Sequence, residues 1–216
     1  WGTFDYLRDR WGEICVYPGL AHLWADRLLP IVKETWTSPS YSYFVGTDMC
    51  LSCLLYTERY DELYTLLQLR EKRLWFDHKF WAMALVKQGK FQEALDYAQM
   101  IQSGQTNEGY SIDIFCEDTL IQMDRIEDAY QQYGLKLPDY GTYLNKYRAI
   151  CKKYPSIDKK HILRDCIERT HEKGKWFASA KSERYLDIAL DCAEHPSSDP
   201  NTLLRAVKEY GKKDSK

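Results

Sequence analysis

Two cysteines three positions apart are the best candidates for metal or redox chemistry in this 216-residue sequence. Cys50 and Cys53 form its one CxxC pair, and no histidine lies close to them along the chain. A structural zinc site needs four ligands, usually supplied by two such pairs. On a helix the two side chains share one face, where cysteine serves as a small hydrophobe. We therefore expect buried thiols and no metal, with a redox or metal pair as the alternative.

Histidine chemistry is the second possibility, and one pair has a suitable spacing. His161 and Asp165 lie one helical turn apart, a geometry capable of general-base catalysis. Such a pair is more often an exposed i,i+4 contact on a helix. The other histidines fall in no metal-binding or nucleophile motif, and residues 104–109 form a polar turn, not a phosphate-binding loop. The sequence therefore predicts no catalytic residue, no metal, no cofactor and no enzyme.

The charge distribution suggests one further site. The formal net charge is −2, but residues 136–181 carry 12 Lys and Arg against 5 Asp and Glu, so this segment is locally +7. Affinity for nucleic acids is dominated by contacts to phosphates. The alternative is a set of ordinary solvated helix faces. The residues of the candidate phosphate patch are Lys152, Lys153, Lys159, Lys160 and Arg164.

Composition bounds the class of protein. Seven cysteines without framework spacing favour reduced thiols in a cytoplasm. No apolar run approaches the roughly 18 residues of a membrane span, and no signal peptide is present, so we expect no membrane association. The chain begins at Trp1 instead of methionine, which we interpret as a fragment with an upstream segment.

A six-residue pattern recurs four times and predicts the helix–helix turns. Each copy has a turn former, a cation, a large apolar residue, a spacer, an acid and an apolar residue. A helix ends well on a residue that tolerates positive φ, and the charges complement the dipoles of the two helices. We expect the large apolar residue to lock the two helices together. The copies are Glu58 to Leu63, Gly89 to Ala94, Asp124 to Ala129 and Glu183 to Ile188.

These hairpins resemble the tetratricopeptide unit, a 34-residue helix–turn–helix. The resemblance is good for residues 77–102, fair for 46–70 and 110–134, and partial near 174–194. The second half also resembles the C-terminal block of an uncharacterised bacterial family of unknown function with tetratricopeptide-like helices. That resemblance is carried by Gly141 to Leu144, Tyr147 to Ile150, Lys152 to Pro155 and Gly174 to Lys181. It implies a bacterial cytosolic protein and brings no catalytic residue with it.

The predicted fold is all-α, an α-solenoid of stacked antiparallel helix hairpins with no sheet. We expect residues 1–216 to form a single helical-repeat domain. N-terminal helices occupy 1–37, three tetratricopeptide-like hairpins occupy 40–134, and irregular C-terminal helices occupy 139–211.

In a stack of this kind, the first helix of each hairpin lines a concave groove. Its mixture of tyrosine, methionine, aliphatic and charged residues suits a peptide or helix as ligand. The leading hypothesis is therefore a non-enzymatic scaffold that binds a protein partner or another segment of its own polypeptide. The alternatives are a solvated groove and a nucleic-acid binder that uses residues 136–181. The predicted groove residues are Asp48, Ser52, Tyr56, Lys79, Met83, Lys87, Ile114, Asp118 and Gln122.

Overall fold

The computed structural model of the protein describes residues 7–38, 44–70, 74–103, 109–136 and 141–211. Within these ranges every regular element is a helix and no strand occurs, which confirms the predicted all-α class. None of the helices described there combines the length and the apolar character needed to cross a bilayer.

The chain divides into two compact units, Trp1–Met123 and Asp124–Lys216. The boundary falls inside the third predicted hairpin. The first unit contains α1 (Trp11–Ile14), α2 (Pro18–Thr37), α3 (Thr47–Tyr56), α4 (Tyr60–Leu67), α5 (Trp75–Lys87), α6 (Phe91–Ser103) and α7 (Gly109–Gln122). The second contains α8 (Ile126–Ala129) with a π-helical turn (Tyr130–Gly134), α9 (Tyr143–Lys153), α10 (Lys159–Glu168), a 3₁₀ turn (Lys173–Trp176), α11 (Phe177–Ser182), α12 (Leu186–Ala193) and α13 (Pro200–Gly211).

Helix α3 is the centre of the first unit. Six consecutive residues, 50–55, are buried, because α1, α2, α4 and α5 all pack against it. Cys50 and Cys53 are both fully buried there, packed among Leu51 and Leu54. A helix buried on all sides is apolar all round, and the run from Met49 to Leu55 has that composition.

The helix–helix turns share one backbone geometry. Positive φ occurs at Glu58 (58°), Gly89 (74°), Asp124 (59°) and Arg184 (64°). The amide after three of these residues donates to the carbonyl five positions earlier: Arg59 to Leu54 at 2.9 Å, Lys90 to Leu85 at 2.9 Å and Tyr185 to Ala180 at 3.0 Å. These bonds satisfy carbonyls left without a partner at a helix end.

The turn former lies where the sequence pattern predicts it in three of the four copies. In the fourth, positive φ occurs at Arg184 and not at Glu183, so the pattern is displaced by one residue. Helix α12 accordingly begins at Leu186, whereas α4, α6 and α8 begin at the large apolar residue of their own copies. The fourth copy matches the pattern because two apolar residues, Tyr185 and Leu186, stand in succession after Arg184, so either can take the place of the large apolar residue.

The large apolar residue of the pattern is not fully buried at any of the four turns. Tyr60, Phe91 and Ile126 are half-buried, and Leu186, the first residue of α12, is 50% exposed. The position three residues into each following helix is buried in all four copies: Leu63, Ala94, Ala129 and Ala189. In three copies this residue is alanine, whose small side chain allows close approach of the paired helices.

Aromatic side chains with satisfied polar groups form the core of the second unit. Trp176 is buried and its indole N–H donates to Thr170 Oγ1 at 3.1 Å. The buried Tyr130 donates its hydroxyl to Asp165 at 2.6 Å. Buried tyrosine and tryptophan need such partners, because an unpaired polar group costs free energy in an apolar interior.

Candidate functional site

All nine predicted groove residues lie in the first unit, and six of them form what we call the α3–α5 face: Asp48, Ser52 and Tyr56 of α3 with Lys79, Met83 and Lys87 of α5. A short N-terminal segment, residues 7–14, lies on part of this face, and we call it the covering segment. The Gly12 amide donates to Ser52 Oγ at 3.0 Å, across 40 positions of sequence. This contact binds the covering segment directly to the middle of α3.

Glycine at position 12 is required by the close approach of α1 to α3. A Cβ atom added to Gly12 would lie 2.5 Å from the carbonyl oxygen of Ser52 and 2.6 Å from Tyr56 Cβ. Both distances are shorter than any real Cβ contact, and the nearest atom belongs to the backbone, which cannot rotate away. Any side chain at position 12 must therefore displace the covering segment.

Charges of opposite sign connect the covering segment to both helices of the face. Arg8 Nε lies 3.8 Å from Asp48 Oδ2 on α3. The neighbouring Asp9 forms an ion pair with Lys79 on α5. Because one cation and one anion occupy adjacent positions in the segment and face opposite charges on the two helices, the pairs favour one direction of the segment along the face.

Apolar contacts anchor the same segment. Trp11 packs edge-to-face on Trp24 of α2, with ring centroids 5.9 Å apart. Cys15, directly after the segment, is 4% exposed and belongs to the same core cluster as Cys53. The covering segment is therefore held by core packing as well as by charge.

The other predicted groove residues remain accessible. Met83 is 36% and Ile114 37% exposed, and Lys87 lies with its ammonium group 5.8 Å from the centroid of the Tyr56 ring. Asp118 and Gln122 lie on the exposed side of α7. The structure therefore brings Asp48, Ser52, Tyr56 and Lys79 together beneath the covering segment and leaves Met83, Lys87, Ile114, Asp118 and Gln122 outside it.

The predicted phosphate patch lies in the second unit, beside acidic residues. Lys160 Nζ and Arg164 Nη2 lie 2.7 and 3.5 Å from the same Asp187 carboxylate oxygen. The Lys160 ammonium group holds the pKa of Asp187 below its ordinary value. Lys152 and Lys159 are exposed on α9 and α10, and Lys153 is half-buried.

The cysteines of the CxxC pair are protonated at neutral pH. Burial raises the pKa of both Cys50 and Cys53 to about 12, so almost no thiolate is present for metal binding or nucleophilic attack. In the described ranges, no group of three or more His, Cys, Asp or Glu residues is arranged to hold a metal ion.

The histidine and acid with general-base spacing form a surface pair. His161 Nε2 lies 3.3 Å from Asp165 Oδ2, and the imidazole is 56% exposed. The same carboxylate oxygen accepts the hydroxyl of the buried Tyr130. Asp165 therefore orients a core tyrosine.

A set of buried polar residues in the first unit was not predicted from the sequence. Asp77 and His78 are fully buried in α5. Asp77 forms an ion pair with Arg70, and His78 Nδ1 is hydrogen-bonded to the hydroxyl of Tyr97 on α6. The available signal was a pair of adjacent polar residues within an aromatic stretch of the sequence. Neighbouring residues point to different faces of a helix, and both faces of α5 are covered, so both polar side chains are buried.

Comparison with protein-family models, with curated proteins and with solved structures finds no significant match to the chain.

Proposed function

We propose that the protein is a non-enzymatic helical scaffold that binds a helical segment of a protein partner on the α3–α5 face. The observation that supports this function most strongly is the covering segment, because residues 7–14 are a helical segment already bound there. A face that accommodates one short helix through polar, ionic and apolar contacts has the surface chemistry needed for another.

The contacts indicate what kind of segment fits. A small residue must face Ser52, because the backbones approach too closely for any side chain at that point. A cation and an anion in adjacent positions match Asp48 and Lys79, and an aromatic residue beside them packs on Trp24 of the neighbouring α2. This combination corresponds to recognition of a helix in a groove.

The accessible residues determine where a partner extends. Met83 and Ile114 supply apolar contacts beyond the covering segment, and Lys87 and Asp118 supply charges of both signs. In our proposal a partner helix binds along these residues or replaces the covering segment. In our proposal the protein is a tetratricopeptide-like α-solenoid of a bacterial cytoplasm. The positive φ shared by the four turns supports the helix-hairpin part of this proposal.

Site-specific photo-crosslinking tests the function. A photoreactive amino acid is placed at Met83 or Ile114 and, as a matched control, at Ile31 of α2, which is exposed to a similar degree. In the Gly12→Val background, whose covering segment is displaced, we expect discrete protein adducts from positions 83 and 114 in extracts of the source organism, and excess peptide of residues 7–17 should reduce them. Equal adducts from all three positions, or adducts that the peptide does not reduce, would contradict the proposal.

A further inference from the structure

A cavity of the first unit lies between α4, α5 and α6, and has a volume of about 510 Å³. Its aromatic lining comes from all three helices: Tyr64 of α4, Trp81 of α5 and Tyr97 of α6. Two carboxylates of α6, Glu93 and Asp96, complete one side. We call this cavity the aromatic groove.

The aromatic groove is separate from the α3–α5 face. Trp81 and Met83 are two positions apart on α5, and their side chains therefore diverge by about 200° around the helix axis. Met83 belongs to the α3–α5 face and Trp81 to the aromatic groove. Ligands could thus occupy both surfaces without competing.

The three rings are held in place by neighbouring groups. Tyr64 and Trp81 are in contact, with centroids 4.7 Å apart and planes inclined by 47°. The hydroxyl of Tyr97 is hydrogen-bonded to the fully buried His78, which fixes this ring at the opposite side of the groove. Rings held by the fold lose little side-chain freedom when a ligand binds.

The charge of the aromatic groove has one sign. Glu93 and Asp96 are exposed, and neither lysine nor arginine occurs among the described residues that line the cavity. Asp96 accepts a hydrogen bond from Gln92 at 2.9 Å, which orients its carboxylate. The potential in the groove therefore favours a cation, and the lining offers π faces to it.

We propose that the aromatic groove binds an organic cation through an alkylammonium head group. The negative faces of aromatic rings attract such cations, tryptophan most strongly, and recognition of quaternary ammonium groups uses several rings together. A carboxylate beside the rings adds Coulombic attraction without requiring the head group to donate a hydrogen bond. This inference rests on residues outside the α3–α5 face and does not depend on the function proposed for it.

Nuclear magnetic resonance with choline as the probe tests the site on the whole chain. The reporter is the indole N–H signal of Trp81, assigned by its loss in Trp81→Phe. We expect a saturable shift with a dissociation constant on the order of 1 mM, as suits a ligand of few atoms. The neutral isostere 3,3-dimethylbutanol should bind at least about tenfold more weakly. No saturable shift, or equal binding of the two compounds, would overturn the proposal.

Surface variants separate loss of binding from loss of folding. Tyr64 is 43% exposed and Asp96 is exposed, so Tyr64→Leu and Asp96→Asn should keep the circular dichroism of the parent. We expect each to weaken choline binding several-fold, whereas Glu34→Gln, at an exposed carboxylate on α2, should leave it unchanged. Equal affinity in the parent, Tyr64→Leu and Asp96→Asn would contradict the assignment of the site.

Two sources of the head group can be distinguished with the same signal. N-acetyl-lysine methylamide represents a peptide side chain, its trimethylated form a modified one, and choline a free metabolite. Tightest binding by either lysine compound identifies a peptide as the ligand, and tightest binding by choline identifies a small molecule. Either result supports an alkylammonium site, and no binding by all three excludes it.

Discussion

The α3–α5 face and the basic face, as we call the predicted phosphate patch on α9 and α10, differ in the residues that pair with their charged side chains. On the α3–α5 face, Asp48 and Lys79 are matched by residues of the covering segment, 40 and 70 positions away. On the basic face, Lys160 and Arg164 are matched by Asp187, in a helix whose other side is buried in the core of the second unit.

This difference determines which face can be opened. The covering segment is short, and α3 also packs against α2, α4 and α5, contacts that do not involve the segment. Asp187 cannot leave its place without removing Ile188 and Cys192 from the core of the second unit. We therefore expect the α3–α5 face to exchange between a covered and an open state, and the basic face to keep its acidic neighbours.

The difference between a face that can open and one that stays closed should have its largest effect on the reactivity of the thiols. Cys53, beneath the covering segment, and Cys166, in the second unit, are buried and each has a pKa of about 12. We expect iodoacetamide at pH 8 to label both more than about 100-fold more slowly than in the unfolded chain, because little thiolate is present. Mass spectrometry of labelled peptides measures the rates.

The same rates distinguish local opening from general unfolding. In Gly12→Val, which displaces the covering segment, Cys15 and Cys53 should be labelled faster while Cys166 keeps its protection. Faster labelling of all three cysteines would mean that the segment and the second unit unfold together.

The next largest effect should be on the free energy of unfolding, when either of two glycines is replaced by alanine. We expect Gly12→Ala to lower the free energy of unfolding of the first unit by about 1–3 kcal/mol, since the added methyl overlaps the α3 backbone. Gly19 lies in α2 with no atom within 4 Å of an added Cβ. Gly19→Ala should be neutral or stabilising by up to about 1 kcal/mol. Denaturant melts measure both, and equal effects would mean that the close approach of α1 to α3 is wrong.

Nucleic-acid binding by the basic face should be weak. We expect a generic duplex to bind no more tightly than about 1 µM at physiological salt, the non-specific level. Replacing Lys152, Lys153, Lys159 and Lys160 with Gln should flatten the dependence of log K on log salt, by about 0.9 for each phosphate that is no longer neutralised. Asp187→Asn should raise affinity only a few-fold. Nanomolar binding with a steep salt dependence in a mobility-shift titration would favour the nucleic-acid function over the scaffold.

The individual ion pairs should show the smallest effects. Double-mutant cycles on Asp9–Lys79 and on Arg148–Glu183 should each give a coupling free energy below about 1 kcal/mol. In the second pair, Arg148 Nη2 lies 2.9 Å from Glu183 Oε1. The Asp9–Lys79 coupling should be the larger, because Arg148 is 58% exposed and screened by solvent. A larger coupling at Arg148–Glu183 would mean that the basic face depends on its acidic neighbours for stability.

The helices and three of the four turns could be predicted from the sequence because their causes are local. Gly89 and its neighbours carry the turn signal within six residues, and burial of Leu63 or Ala94 follows from helical spacing. The covering segment could not be predicted, because its contacts join Gly12 to Ser52 and Asp9 to Lys79 over 40 and 70 residues. The repeat pattern was enough to infer which residues form the groove. That the covering segment lies on them depends on contacts between residues far apart in the sequence.

The central claim, that the α3–α5 face binds a helical segment, is tested most directly by supplying that segment from outside. A fluorescent peptide of residues 7–17 is titrated against the parent and against Gly12→Val, with fluorescence anisotropy as the readout. We predict binding to Gly12→Val, whose own segment is displaced, no binding to the parent, whose face is occupied, and no binding of a peptide that itself carries Gly12→Val. If the unmodified peptide binds both proteins equally, or fails to bind Gly12→Val while circular dichroism shows that variant to be folded, the face is not a helix-binding site.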